Sequence, residues 1–246
     1  MSTKQPPLRP TTGFHIRSRQ YVRLIADIVP GNAIDVGGGQ GYWAVKLAQL
    51  GWQVNLLEKS EMARSDALFL TKSFSEKIQI HASLENFKPE SADLLCALEV
   101  LEHLPDRTQS LGYWSEYLKP HGYGLFSFPA WQEWFNVEDE KVGHLCRFNI
   151  NDVADLFSSS NGWTICKMSG YGFPFRNLLQ IYNNRRFQNK QFEEPNRATL
   201  SSGVYREARL PVWLDYAAAV VTDSFQRLIG PRKPNWGLVV LAKKKG

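Results

Sequence analysis

The chain has 246 residues, of which 43% are hydrophobic and 22% are charged, with a formal net charge of +5. This ordinary globular composition fits one large α/β domain with a sizeable core, and it excludes a disordered or fibrous chain. Three of the positive charges lie in the last four residues, KKKG. The excess of positive charge is therefore weak support for binding to nucleic acid, and no nucleic-acid partner is expected.

The three cysteines, Cys96, Cys146 and Cys166, follow no zinc or redox spacing, and no metal ligand set is predicted. An odd number of cysteines without a pattern favours a reducing compartment. The first residues are polar and rich in proline, and no apolar run approaches the ~20 residues that span a bilayer. We therefore expect a cytoplasmic protein in which residues 1–13 form a flexible tail.

Strand and helix patterns alternate along most of the chain. Apolar residues recur at helical spacing over 14–29, 42–51, 61–74, 109–122 and 151–162. Short runs rich in β-forming residues lie at 33–36, 53–59, 77–82, 93–98, 123–129, 163–172 and 235–244. Alternation at this spacing predicts an α/β fold, in which a doubly wound, mostly parallel sheet carries helices on both faces.

The segment 174–234 interrupts this alternation. It contains a long amphipathic helical pattern at 210–231 and is longer than ordinary connections. We therefore expect residues 14–246 to form a single domain, with 174–234 as an insertion on the substrate side. The basic and apolar stretch 174–190 could contact a membrane or a lipid-linked substrate, or form a solvated edge or a dimer contact. The sequence leaves the oligomeric state open.

Four glycines lie within five positions directly after the first predicted strand, in AIDVGGGQGYW (33–43). Ligands of open parallel sheets bind beyond the carboxyl ends of the strands, and glycine lets a ligand approach bare backbone. The spacing is Asp35, Gly37, Gly39, Gly41, and the dinucleotide fingerprint G-x-G-x-x-G fails in every frame. A tight turn without a ligand is the alternative interpretation.

A carboxylate follows the second predicted strand. Glu58 lies 17 residues beyond Gly41. At this place a carboxylate can accept hydrogen bonds from the ribose hydroxyls of a nucleoside. The glycines and Glu58 together favour a nucleoside-containing ligand.

These features resemble motif I of the class I, Rossmann-like S-adenosylmethionine (SAM)-dependent methyltransferases. The stretch SADLLCALEVLEHLPD (91–106) is similar to their motif IV, with its Glu-His pair after the fourth strand. The stretches 118–129 and 143–163 resemble later elements of the same superfamily, so the resemblance covers residues 31 to about 170 in order. It implies SAM as the cofactor and a seven-stranded sheet with an antiparallel last strand. It does not identify the substrate.

The resemblance also implies the residues that bind the cofactor. These are Asp35, Gly37, Gly39, Gly41, Glu58, Lys59, Ser83, Leu84, Leu98 and Glu99. One departure concerns the acid that often follows the third strand and contacts the adenine amine, because Ser83 occupies that position here. Ser83 could accept one hydrogen bond, and Leu84 could offer its backbone N–H.

Two histidines are candidate catalytic residues. Methyl transfer from a sulfonium is an in-line displacement, and holding donor and acceptor in line can lower the barrier by ~7–11 kcal/mol. A general base is needed only if the acceptor must lose a proton. His103 follows the fourth predicted strand and His144 the fifth. Each could deprotonate the acceptor, or could instead hydrogen-bond the neighbouring backbone.

The favoured function is methyl transfer from SAM to a small-molecule acceptor at a hydroxyl oxygen. Oxygen is favoured because ALEVLEH (97–103) stands where enzymes that methylate amino groups of nucleic acid or protein carry an Asn-Pro-Pro-Tyr-type motif. Two alternatives remain at this point. One is a non-catalytic interaction module with the same fold, and the other is a nicotinamide-dependent oxidoreductase, against which the failed fingerprint argues.

Overall fold

The computed structural model describes residues 10, 12–85, 87–174 and 212–246. In this part of the chain the strands are β1 Asn32–Val36, β2 Gln53–Leu57, β3 Ile78–His81, β4 Ala92–Leu98, β5 Leu118–Pro129, β6 Trp163–Tyr171 and β7 Gly237–Lys244. The helices are α1 Thr12–Ile25, α2 Tyr42–Gln49, α3 Glu61–Leu70, α4 Arg107–Ser115, α5 Val137–Lys141, α6 Ile150–Leu156 and α7 Val212–Ile229. Short 3-10 turns lie at Lys72–Phe74, Leu101–His103, Gln132–Trp134 and Ser159–Asn161.

The seven strands form one sheet in the order β3-β2-β1-β4-β5-β7-β6. The strands from β3 to β5 in this order pair in parallel, whereas β7 runs antiparallel to both of its neighbours. The predicted mostly parallel Rossmann-like sheet with an antiparallel last strand is confirmed. The order reverses between β1 and β4, and the crevice at such a reversal is where ligands of open α/β sheets bind.

Apolar side chains cover both faces of the sheet. On one face Tyr21 of α1 meets Trp43 of α2 edge to face, with ring centroids 5.2 Å apart. On the other face Phe126 of β5 packs against Phe157 and Trp163. Strands buried in this way read as continuous apolar runs, as in β4. With both faces covered, the edge at the carboxyl ends of the parallel strands is left for ligands.

The boundary between α4 and β5 differs from the sequence prediction. A helix was expected over 109–122, closed by Pro120 and Gly122, but α4 ends at Ser115 and β5 begins at Leu118. The pairing of β5 with β4 is irregular between Ala92 and Leu94. Proline can occupy a strand at such an irregularity, because no ladder N–H is required there.

Two helix starts also differ from the prediction. The helix α6 begins at Ile150, one residue before the predicted pattern 151–162, and Asn149 caps it. The Asn149 N–H donates to Asp152 Oδ2 at 2.7 Å in a capping box. The helix α1 begins at Thr12, so its first two residues belong to a helix and not to the predicted tail 1–13. Residues 1–9 and 11 lie outside the described part of the chain.

The predicted insertion 174–234 is only partly described. Its long helix is present as α7. Residues 175–211, which include almost all of the stretch 174–190, lie outside the described residues. The insertion and the single-domain boundaries therefore stay predictions. Among the helices that the structure describes, none combines the length and the apolar character that crossing a membrane requires.

Candidate functional site

The register of the central strands brings three predicted site residues to one edge of the sheet. Val36, the last residue of β1, pairs with Leu57 of β2 and with Ala97 of β4. Gly37 and Glu58 follow directly on the first two strands, and Glu99 follows β4. Carboxyl ends of parallel strands meet at the same edge, so these residues surround one crevice.

The glycine loop, Gly37–Gly41, connects β1 to α2 in a conformation that needs glycine. Gly37, Gly39 and Gly41 have φ values of 66°, 54° and 87°, which residues other than glycine rarely adopt. A Cβ atom on Gly38 would lie 2.7 Å from Asp35 Oδ2. A Cβ atom on Gly39 would meet no atom within 4 Å. Gly38 therefore packs inward, while Gly39 faces open space where a ligand can approach the backbone.

Glu58 is held against this loop. Its Oε2 accepts the Gly39 N–H at 3.0 Å, and its Oε1 accepts the Ser60 N–H at 2.8 Å. A carboxylate offers about four lone-pair sites, so both oxygens can accept further hydrogen bonds. The structure thus places a fixed, half-buried carboxylate beside the open backbone at Gly39.

Asp35 lies beneath the glycine loop, inside the protein. Its side chain is buried, and its Oδ2 has no hydrogen-bond partner. Burial, together with the charge of Glu58, raises the pKa of Asp35 to about 8. Asp35 therefore supports the loop from below in this structure, and its predicted contact with a cofactor stays a prediction.

The remaining predicted cofactor residues lie near the same edge. Lys59 is exposed beside Glu58, Ser83 is exposed after β3, and Leu84 is buried. Leu98 ends β4 and is half-buried. The positions agree with a groove along the ends of β1, β2 and β4, but contact of these side chains with a cofactor also stays a prediction.

Glu99 is the centre of a hydrogen-bonded cluster, which we call the Glu99 network: Arg17, Tyr21, Glu99, Ser127 and Tyr171. Glu99 Oε2 accepts from Arg17 Nη1 at 3.1 Å. Glu99 Oε1 accepts from the hydroxyls of Ser127 and Tyr171, both at 2.8 Å. The Tyr21 hydroxyl lies 2.7 Å from Ser127 Oγ. Side chains from α1, β5 and β6 thereby fix the carboxylate that follows β4.

The Glu99 network holds its protons tightly. Burial and the charge of Glu99 raise the pKa of Tyr171 well above its usual value, and burial raises that of Tyr21. Burial lowers the pKa of Arg17, but Glu99, Tyr21 and Tyr171 together more than offset this, so that the pKa lies above its usual value. At neutral pH Arg17 is therefore charged and both phenols are protonated. These groups can donate hydrogen bonds, but they are not bases.

The two predicted catalytic histidines lie side by side, with ring centroids 4.9 Å apart. His103 Nδ1 is 2.9 Å from the Gly143 carbonyl oxygen. A carbonyl can only accept, so this nitrogen carries the proton and Nε2 has the free lone pair. Burial lowers the pKa of His103, which favours the neutral imidazole.

His144 lies between two carboxylates. Its Nδ1 is 2.9 Å from Asp139 Oδ1, and its Nε2 is 3.8 Å from Glu102 Oε1. Burial tends to raise the pKa of Asp139, but hydrogen bonds from His144 and Arg147 more than offset this, so that the pKa is lowered. Asp139 is thus ionised and accepts the Nδ1 proton of His144.

Glu102 is fully buried in the 3-10 turn after β4. Neither of its carboxylate oxygens has a hydrogen-bond partner. Burial, with the charge of Glu99 as a second cause, raises its pKa well above the usual value. One ligand atom each of Glu102, His103 and His144 lies within 4.8 Å of the other two. This group is the candidate that the chain offers for holding a metal ion, within the residues described.

Sequence reasoning missed the partners of the predicted residues. Arg17, Ser127 and Tyr171 join Glu99 from positions 82, 28 and 72 residues away in the chain. Asp139 orients His144 but was part of an unremarkable acidic run. No local pattern distinguishes these residues, because their role depends on which segments the fold brings together.

Solved structures share this fold. The chain is similar to the [4+2]-cyclase SpnF, with a TM-score of 0.61 and 14% identity, covering 94% of this chain and 81% of that one. It is also similar to the 1,6-didemethyltoxoflavin-N1-methyltransferase of Burkholderia thailandensis, solved with its substrate and S-adenosylhomocysteine. That match has a TM-score of 0.60 and 15% identity, and covers 95% of this chain and 80% of that one. At these identities the likeness concerns the fold alone.

Curated relatives are similar in sequence. A ubiquinone biosynthesis O-methyltransferase of Aromatoleum aromaticum is 30% identical over 165 residues, covering 61% of this chain and 70% of the relative. Another, of Xanthomonas euvesicatoria pv. vesicatoria, is 28% identical over 120 residues, covering 47% of this chain and 50% of the relative. The chain thus spans about half the length of the first such relatives that it matches.

A family-level match agrees with the order of strands and with the glycine loop. Residues 14–167 match the family described as a methyltransferase domain. The matched region begins in α1 and ends in β6, so it contains the glycine loop, Glu58, the Glu99 network up to Ser127, and both histidines. The chain belongs to the methyltransferase domain family.

Proposed function

We propose that the protein is a SAM-dependent methyltransferase that transfers a methyl group to a hydroxyl oxygen of a small-molecule acceptor. The observation that carries this proposal is the pairing of Glu58 with the glycine loop. Glu58 accepts the Gly39 N–H at 3.0 Å, where a Cβ atom on Gly39 would find open space. A nucleoside with an attached amino acid fits this combination of a ribose acceptor and bare backbone.

Each part of the groove has a role in this proposal. Glu58 would accept the ribose hydroxyls with the lone pairs that Gly39 and Ser60 leave free. The glycine loop would lie against the amino-acid portion. Lys59, Ser83, Leu84 and Leu98 would line the remaining length of the groove. When bound, SAM supplies a methyl group on a positively charged sulfur, which is a good leaving group.

The acceptor side of the proposed reaction is the edge that follows β4 and β5. There the Glu99 network presents fixed donors and no exposed base. In the transfer a carbon–oxygen bond would form and the carbon–sulfur bond would break. The hydroxyl proton would pass to solvent or, under the base hypothesis, to Nε2 of His103 or His144. The chain would contribute mainly by holding the acceptor in line, which can lower the barrier by ~7–11 kcal/mol.

Oxygen as the accepting atom is the finer part of the proposal. Its support is that the curated relatives are named as O-methyltransferases and that ALEVLEH (97–103) follows β4. The similar structures include an N-methyltransferase and a cyclase, so the fold alone does not choose the accepting atom. A panel of phenols, catechols, aliphatic alcohols and amines, assayed with methyl-labelled SAM, tests this part. Label in amines alone would contradict it.

Helix α7, within the predicted insertion, is tied to the acceptor side. Gln20 Nε2 of α1 donates to Asp223 Oδ1 and to Gln226 Oε1 of α7, both at 2.6 Å. The same helix α1 supplies Arg17 to the Glu99 network. This link supports the proposal that 174–234 lies on the substrate side. A lipid-linked acceptor or membrane contact through 174–190 stays a prediction, because that stretch is almost entirely outside the described residues.

Calorimetry tests cofactor binding directly. We expect SAM and S-adenosylhomocysteine to bind, and NAD and NADP not to bind. Glu58→Gln should weaken SAM binding about 10- to 100-fold, because hydrogen bonds to a charged acceptor contribute ~1.5–3 kcal/mol. Glu61→Gln, on the first turn of α3, is the matched control and should bind as wild type.

The outcomes separate the candidate functions. Binding of neither SAM nor its demethylated product would support the non-catalytic module. Preference for NAD or NADP would support the oxidoreductase. Equal SAM affinity in Glu58→Gln and wild type would remove the proposed role of Glu58.

Turnover of histidine variants tests whether His103 or His144 acts as a general base. If His103 or His144 deprotonates the acceptor, its replacement by alanine should lower turnover at least ~100-fold, since general-base catalysis contributes about 10²–10⁴ in rate. SAM affinity should stay near wild type in both variants. Near-normal turnover in both would remove the base hypothesis and leave methyl transfer itself in place.

A further inference from the structure

Glu102, His103 and His144 together have the composition of a metal site. They come from a 3-10 turn after β4 and from the segment after α5. One ligand atom of each lies within 4.8 Å of the other two. We propose that these three side chains bind a divalent transition-metal ion of the first row, such as Zn²⁺.

Both imidazoles are oriented as metal-bound histidines are. A metal-binding histidine normally donates its second ring N–H to a backbone carbonyl or a carboxylate, which fixes the ring and the tautomer. His103 Nδ1 has the Gly143 carbonyl at 2.9 Å, and His144 Nδ1 has Asp139 Oδ1 at 2.9 Å. In each ring this leaves the Nε2 lone pair for a cation.

The surrounding hydrogen bonds hold this orientation. Asp139 Oδ2 accepts from Arg147 Nε at 2.9 Å and from the Asn136 N–H at 3.0 Å. Asp139 is therefore fixed by its other oxygen while it accepts from His144. Outer partners of this kind are what keep metal ligands in place.

Glu102 supplies the carboxylate. It is fully buried, and neither oxygen has a hydrogen-bond partner. Burying a carboxylate without a partner costs several kcal/mol, and a bound cation would offset that cost. Glu102 Oε1 lies 3.8 Å from His144 Nε2, which is another of the proposed ligand atoms.

The carboxylate oxygens of the neighbouring acids Glu99 and Asp139 already accept hydrogen bonds. Both oxygens of Glu99 accept hydrogen bonds from Arg17, Ser127 and Tyr171. Both oxygens of Asp139 are likewise bonded. The ligand set is therefore Glu102 with the two histidines, and it excludes Glu99 although that residue stands in the same segment.

The ligand types select the class of metal. Two imidazoles and one carboxylate suit Zn²⁺ and its first-row neighbours, whereas Mg²⁺ and Ca²⁺ prefer all-oxygen ligands. Bond lengths of about 2.0–2.2 Å place tetrahedral ligand atoms about 3.4 Å apart, so the side chains must close slightly around the ion. His103 and His144 are partly exposed, which provides a way in. Three protein ligands leave a position open to water or another ligand.

Metal binding is independent of the proposed methyl transfer, because it can be measured without SAM or acceptor. It does compete with the base hypothesis, since one Nε2 lone pair cannot both bind a metal and accept a proton. If the ion is present, the two histidines act as ligands and not as bases.

Co²⁺ is the probe, because its visible absorption reports nitrogen and oxygen coordination while Zn²⁺ is silent. The chelator-treated 246-residue chain is titrated with Co²⁺, and bound metal is counted by mass spectrometry. We expect one Co²⁺ per chain, displaced by Zn²⁺ and not by Mg²⁺. Glu102→Gln, His103→Gln and His144→Gln should each weaken binding at least ~10-fold. Thermal unfolding should shift upward with Zn²⁺ in wild type and not in these three variants.

The matched control is His121→Asn. His121 is exposed with a φ of 61°, which asparagine tolerates, and it lies outside the ligand set. This variant should bind Co²⁺ as wild type does. The proposal is overturned if folded wild-type protein binds no Co²⁺, or if His103→Gln, a partly exposed change that the fold should accept, binds Co²⁺ as tightly as wild type.

Discussion

The glycine loop and the Glu99 network lie at the same edge of the sheet but are built in opposite ways. The glycine loop is five consecutive residues whose shape depends on missing side chains, with Glu58 bonded to its backbone. The Glu99 network consists of Glu99, which follows β4, and of side chains from α1, β5 and β6 that are far from it in the chain. The first region is decided by local backbone geometry, and the second by how distant segments pack.

This contrast predicts different consequences of substitution. A change in the glycine loop should remove the cofactor site through sterics. A change in the Glu99 network should cost stability through an unpaired buried charge, and should leave the glycine loop and Glu58 in place. Four substitutions test this difference, and the first has the largest expected effect.

Gly38→Val should abolish detectable SAM binding and lower stability by more than about 3 kcal/mol. A Cβ atom there would lie 2.7 Å from Asp35 Oδ2 and 2.8 Å from Leu56 Cγ, so the loop cannot close over β1 and β2. Calorimetry with SAM and urea unfolding measure both effects. The control Gly112→Ala lies in α4 with no atom within 4 Å of the new Cβ, and should be stabilising by about 0.5–1 kcal/mol. Retained SAM affinity in Gly38→Val would contradict the steric argument.

Arg17→Met should lower stability by about 3 kcal/mol and change SAM affinity less than about threefold. The substitution leaves Glu99 nearly buried without its cation, and breaking a buried pair costs ~3–5 kcal/mol. Urea unfolding of Arg17→Met, Glu99→Gln and the double variant gives the coupling energy. We expect the double variant to be more stable than the sum of the single effects predicts. Simple additivity would show that the two side chains do not interact.

Asp35→Asn, beneath the glycine loop, should remove the part of the protein's pH-dependent stability that comes from the buried Asp35 carboxyl. The folded pKa of about 8 lies above the value of the unfolded chain, so the folded state holds a proton that the unfolded state has lost. Wild-type stability should therefore fall by about 2.7 kcal/mol between pH 6 and pH 9, relative to Asp35→Asn. Urea unfolding of both proteins without SAM measures this difference. Parallel pH curves would mean that Asp35 is not a buried acid.

Tyr171→Phe should have the smallest effect, a loss of about 1 kcal/mol. It removes one hydrogen bond to Glu99 Oε1, but Ser127 still donates to the same oxygen. Tyr113→Phe is the control, because Tyr113 is exposed on α4. Its stability should stay within about 0.5 kcal/mol of wild type. If both variants lose equal stability, the hydrogen bond to Glu99 has no special contribution.

The fold could be predicted from the sequence because its signals are local. Continuous apolar runs predicted β1, β4 and β7, and apolar residues at helical spacing predicted α2. The errors lie at boundaries, as at β5, where Pro120 predicted a helix end although the irregular pairing with β4 admits proline inside a strand. Boundaries depend on pairing with another strand, which one segment alone does not reveal.

The candidate site divides in the same way. The sequence by itself determined that a glycine loop follows β1, that the Glu58 carboxylate follows β2, and which family the chain resembles. It could do so because glycine spacing restricts the backbone locally, whatever the rest of the fold. Only the tertiary structure decided that Arg17 and Tyr171 hold Glu99, and that His103 and His144 meet a buried Glu102. The reason is physical: burial and charge compensation arise between segments remote in sequence, and they exist only after the sheet has brought those segments together.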